Sequence, residues 1–131
     1  MSKLHLQHHQ TLILALYDFC KASLPFISDQ ASETDQEFIN KLEQLSKSTQ
    51  LTDDFIQTGQ HLISQIIGSY SHITPNVSRD LLWFFAGDCL HFMSDEEISR
   101  YQQVDELFFE AQDQGKDLNY SQAKATIFQL H

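Results

Sequence analysis

Apolar residues in this chain recur at steps of three and four, stretch after stretch, and never settle into the strict alternation of a half-buried strand. That period puts successive apolar side chains on one face of a helix. The interruptions are sparse, at four Gly and two Pro in 131 residues, so few positions break a helix once it has begun. The expected fold class is therefore all-α: one compact domain spanning residues 1–131, a bundle of five to six helices arranged around a central apolar helix.

Six segments can be delimited. The first runs from about Leu4 to Ala22, with Leu6, Ile13, Leu16, Tyr17 and Cys20 on one face, and Pro25 closes it. The second opens at Thr34, which forms a T-x-x-E capping box with Glu37, and carries Phe38, Ile39, Leu42 and Leu45. The third opens at Thr52, with Asp53 and Asp54 in the first turn, where the helix dipole favours acids. Its stripe is Phe55, Ile56, Leu62, Ile63, Ile66, Ile67 and Tyr70. Gly59 falls on that stripe and predicts the close approach of a neighbour.

Thr74-Pro75 is read as the opening of the fourth helix, which carries Leu81, Leu82, Trp83, Phe84, Phe85 and Ala86 and continues through Asp88 to His91. Apolar on nearly every side, it is the expected central element. Ser94 and Glu97 form a second capping box and open the fifth helix, with Ile98, Tyr101, Val104, Leu107, Phe108 and Ala111 inward and Gly115 as its stop. The sixth runs from Tyr120 to Leu130 behind Asn119 as N-cap.

Charge excludes several functions. Eight Lys and Arg against eighteen Asp and Glu give −10, and the basic residues are dispersed, so there is no stripe for nucleic acid and little attraction to anionic membranes. The longest strictly apolar run, Leu81 to Ala86, is far short of a membrane span. Cys20 and Cys89 lie far apart among apolar neighbours and read as buried, reduced thiols, with the cytoplasm as expected compartment. No phosphate-binding glycine loop, nucleophile elbow or metalloprotease motif occurs, and the Glu110–Gln122 loop fails the ligand positions of a calcium hand.

Three polar groupings remain. His5, His8 and His9 are spaced i, i+3, i+4, which can bring two imidazoles to one metal, but no third or fourth ligand is evident. They are expected to be surface residues of a Gln-rich terminal turn, with no metal and no cofactor. Asp88 and His91, beside the aromatic run, are a candidate proton-transfer pair. Asp105, flanked on its helix by Ile98, Tyr101, Phe108 and Phe109, is expected to be partly buried and to need donors from Arg79, a tyrosine or a helix N-terminus.

Two functional readings follow. The first is a non-enzymatic protein-interaction or regulatory domain, with a protein partner or a second copy docking on surplus aromatics around the fourth and fifth helices. The alternative is a small-molecule or metal-binding bundle whose pocket, between those helices, is lined by Trp83, Asp88, His91, Tyr101 and Asp105.

Overall fold

A computed structural model describes residues 3–129, so Leu130, expected in the sixth helical stripe, lies outside the described residues. Those residues form helices and no strand. In chain order they are α1 (Lys3–Lys21), α2 (Glu33–Lys47), α3 (Asp53–Ser69), a 3₁₀ segment (Ser71–Asn76), α4 (Arg79–Phe85), a second 3₁₀ segment (Gly87–Phe92), α5 (Asp95–Asp113) and α6 (Tyr120–Gln129).

The two 3₁₀ segments depart from the expected outline. Thr74 and Pro75 lie within the first and do not open α4; that helix starts behind Ser78, whose Oγ accepts from the Asp80 backbone N–H. The fourth helix also ends sooner than its apolar run suggests. After Phe85 the backbone turns through Ala86 and Gly87 at φ +54° and +57°, so Asp88 and His91 belong to a separate element. Gln60 stabilises the break by donating its amide N–H to the Phe85 carbonyl at 2.7 Å, a partner the interrupted helix no longer supplies.

Capping follows local competition. Both Ser32-x-x-Asp35 and Thr34-x-x-Glu37 fit the start of α2, and the structure uses the former: Ser32 Oγ accepts from the Asp35 N–H while Asp35 Oδ2 accepts from the Ser32 N–H. Asp35 also accepts from the Tyr70 hydroxyl at 2.6 Å, which ties the start of α2 to the end of α3. Thr52 and Ser94 cap α3 and α5 as expected, and Asn119 caps α6 reciprocally with Gln122. Glu97 meanwhile turns to Arg79, which it grips through two guanidinium nitrogens at 2.5 and 3.0 Å.

The larger core joins Ile13, Leu16 and Cys20 of α1, Phe38, Leu42 and Leu45 of α2, the α3 stripe, and Leu81, Leu82, Phe84 and Phe85 of α4. A smaller one, Val104, Phe108, Tyr120 and Ala123, lies inside the α5–α6 hairpin. Gly59 makes the expected close approach, since a Cβ there would sit 2.1 Å from Phe85 Cε1. The Phe85 ring is buried and cannot swing away freely. Gly59→Val is therefore expected to lower the free energy of unfolding by about 2 kcal/mol, read from urea denaturation followed by circular dichroism.

Both cysteines are buried and free, and burial pushes each thiol up to about 11. No helix among the described residues is long and apolar enough to cross a membrane.

Candidate functional site

The chemistry-bearing side chains converge where α1 meets α4 and the α5–α6 hairpin. Asp80, in the first turn of α4, is the centre. It is buried at 3 % exposure, yet its carboxylate accepts from the Tyr101 hydroxyl at 2.5 Å and His8 Nε2–H at 3.1 Å, and meets Lys124 Nζ at 2.6 Å. Burial alone penalises the anion, but those three donors outweigh it and hold the carboxyl well below the usual carboxylate range. The same contact works in reverse on Tyr101, where burial first and then the adjacent carboxylate keep the phenol protonated.

Asp105 forms a second node. Its oxygens accept from Trp83 Nε1–H at 2.9 Å and from the Tyr120 hydroxyl at 3.0 Å, and His5 Nε2 lies 3.9 Å away. Burial raises this carboxyl above its ordinary value, and the two donors only partly offset that effect. The expected burial and the expected tyrosine donor are both present; Arg79 serves Glu97 and the Phe92 carbonyl instead.

The histidines correct the sequence reading. His5 and His9 are not surface residues: they are 3 % and 0 % exposed. They continue the buried face of α1, in register with Ile13, Leu16 and Cys20. His9 Nδ1–H donates to the His5 carbonyl at 2.8 Å, and its ring stacks on Phe84 with centroids 4.2 Å apart and planes 10° from parallel. Its Nε2 is buried and has no hydrogen-bond partner among the described residues. His5 packs among Phe84, Phe108, Phe109 and Tyr120 at 5.1 to 5.9 Å and lies 4.6 Å from His9. Burial lowers both imidazoles, His5 to about 4 and His9 to about 3.

Of the residues singled out from sequence, the structure brings Trp83, Tyr101 and Asp105 together and leaves Asp88 and His91 outside. That pair is 4.0 Å apart on the second 3₁₀ segment, with side chains 92 % and 80 % exposed, and its setting is bulk water rather than an aromatic wall. The early end of α4 at Ala86 is the reason. Asp80, Tyr120 and Lys124 were not anticipated. A lone carboxylate on an apolar helix signals Asp80 in principle, whereas Lys124 reaches it only through tertiary packing.

The arrangement holds charge and fixes donors. The Tyr101 hydroxyl, Trp83 N–H and Tyr120 hydroxyl are all engaged by the two carboxylates. Surface clefts open elsewhere, one of about 310 Å³ between α2 and α3 beside Lys41 and Asp54. Among the described residues, no group of three or more His, Cys, Asp or Glu side chains is disposed to hold a metal ion.

No curated protein and no solved structure matches the chain. A family model described as PA2817-like matches residues 1–131 in full, and the chain belongs to the PA2817-like family.

Proposed function

We propose that this chain is a cytoplasmic, non-catalytic interaction module, a single domain organised around α4, that docks a basic amphipathic segment of another protein. The observation that carries this reading is the turn after α1. Leu24 and Ile27 stand 66 % and 61 % exposed there, with Phe19 beside them at 42 %. The turn is held in place: Phe26 inserts between Phe38 and Tyr70, with centroids 5.3 and 4.8 Å away, and His72 Nε2–H donates to the Leu24 carbonyl at 2.7 Å. Large apolar side chains kept outward on an anchored turn lose little entropy on binding.

Exposed Asp18, Asp29 and Glu33 flank this apolar turn, and Lys21 is paired with Asp18 at 3.4 Å. With a net charge of −10, a second copy would set acid against acid, whereas a basic segment is attracted. The aromatics of α4 and α5 offer less for docking: Phe84, Phe85, Tyr101 and Phe108 are buried, and Trp83 and Phe109 are half-buried. The small-molecule alternative has less behind it, since Tyr101, Trp83 and Asp105 hydrogen-bond within the network. The two buried free thiols fit a reducing compartment.

A synthetic Leu/Lys amphipathic helical peptide, titrated calorimetrically, tests the reading. Leu24→Asp and Ile27→Asp add negative charge, so attraction by charge alone would tighten the complex. The proposal expects each to weaken it about tenfold, the loss of roughly 1.4 kcal/mol of apolar contact. Unchanged or tighter binding overturns the proposal. So does a dimer in sedimentation that Leu24→Asp dissociates, which would identify the surface as a self-association face.

A further inference from the structure

We infer that the imidazoles of His5 and His9 form an acid-operated latch, which clamps the α5–α6 hairpin onto α1 and α4 while both rings are neutral and releases it when they are protonated. The geometry begins with the two cores. The hairpin has its own apolar centre in Val104, Phe108, Tyr120 and Ala123, distinct from the larger core, which the hairpin joins through Tyr101 and the flank of Phe128. The histidine rings lie at the seam between them, touching Phe84 of α4 on one side and Phe108, Phe109 and Tyr120 of the hairpin on the other.

A second proton on His9 has nowhere to go. Nδ1–H already donates to the His5 carbonyl, so the new proton falls on Nε2, a buried atom with no acceptor among the described residues. The groups facing the pair from each packed element do not supply one. From α4, Asp80 is already engaged by His8, Tyr101 and Lys124. From α5, Asp105 is engaged by Trp83 and Tyr120, and its Oδ1 lies 3.9 Å from His5 Nε2. From α6 come the Tyr120 hydroxyl, which donates to Asp105, and the Lys124 ammonium, which adds positive charge. On α1 itself, His8 lies 4.9 Å from His9 and His5 4.6 Å. Asp105 can offset one charge on His5. Among the described residues the His9 charge has only Asp80, shared with His8, Tyr101 and Lys124, to offset it, and opening the seam to water relieves it.

Opening is coupled to proton uptake, so its equilibrium constant rises up to tenfold per pH unit for each histidine involved, once the pH is below the ordinary imidazole value near 6.5. Hydrogen exchange with mass spectrometry on the full chain, at pH 7.5 and 5.0 and corrected for the intrinsic chemical rate, reads it directly. Opening at amides of residues 101–128 is expected to increase about 30-fold per protonated histidine between pH 7.5 and 5.0, and at both pH values the hairpin opens at a lower free energy than α2 and α3. His9→Phe keeps an aromatic ring on Phe84 and removes one of the two titrating rings, so the folded variant should retain only the His5 share, about 30-fold. An undiminished response in folded His9→Phe overturns the latch. If that variant does not fold, the wild type still decides: no pH response, or a hairpin that opens only together with α2 and α3, with the same protection as theirs at both pH values, overturns it.

Discussion

Asp80→Ala is expected to destabilise the protein by about 3–5 kcal/mol, a large share of the roughly 5–15 kcal/mol that holds a domain of this size together. The size follows from what the carboxylate leaves behind rather than from the contact itself. The Tyr101 hydroxyl is buried and loses its acceptor, His8 loses its anchor, and the Lys124 ammonium is left beside a phenol and the face of Phe128. Removing one partner of a buried charged network exposes the full desolvation cost of the others. Asp80→Asn keeps the shape and one acceptor, and should fall between wild type and alanine. Urea denaturation at pH 7.5 measures both; a cost under about 1 kcal/mol for alanine would mean that the network is too open to water to matter.

Acid is expected to produce an effect of similar size. His5 and His9 have imidazole values lowered by burial to about 4 and about 3. A lowered imidazole means that the unfolded chain binds protons more readily than the native one below pH 6.5, so stability falls as the pH falls. Each histidine contributes a slope of up to about 1.4 kcal/mol per pH unit, and two of them acting from pH 7.5 to 5.0 remove about 4 kcal/mol. The carboxylates act lower down and in opposite senses. Asp80, held below its ordinary value, loses its contribution only as the pH falls below the usual carboxylate range. Asp105 is raised, so the native state takes up its proton more readily and offsets part of the loss near the bottom of the window. Urea midpoints at pH 7.5, 6.0 and 5.0 check the slope, and His9→Phe should remove close to half of it.

The helices were legible because their signals are local. A capping hydroxyl at Thr52 or Ser94, a glycine with φ +69° at Gly115 and the stripe of α3 each act within one or two turns of chain. Gly59 was legible too, since a glycine on a buried stripe needs a neighbour to account for it. The end of α4 was not. Nothing in the run Leu81–Ala86 announces that Gln60, twenty-five residues before Phe85, will cap its last carbonyl and let the chain turn at Ala86. With that break hidden, Asp88 and His91 looked like neighbours of the aromatic wall, and they are not.

The histidines failed for a different reason. Their spacing was seen, but its meaning depends on which face of α1 is buried. His5 and His9 sit in line with Ile13, Leu16 and Cys20, so that face was available in the sequence. Polarity argued against extending it two turns further toward the N-terminus. The aromatics that make burial tolerable, Phe84, Phe108, Phe109 and Tyr120, come from three other helices, which periodicity alone does not bring together.

The ring of His9 offers the most direct reading of this seam. In protein labelled with ¹⁵N at histidine, two-bond correlation spectra report tautomer and charge at each nitrogen while the pH is lowered. His9 is expected to keep its proton on Nδ1 and remain neutral in the folded signals down to pH 5, with hairpin amides weakening before any protonated folded form appears. A His9 ring that titrates near pH 6.5 while every folded signal persists would contradict the account, because it would place that ring in water rather than between the two cores.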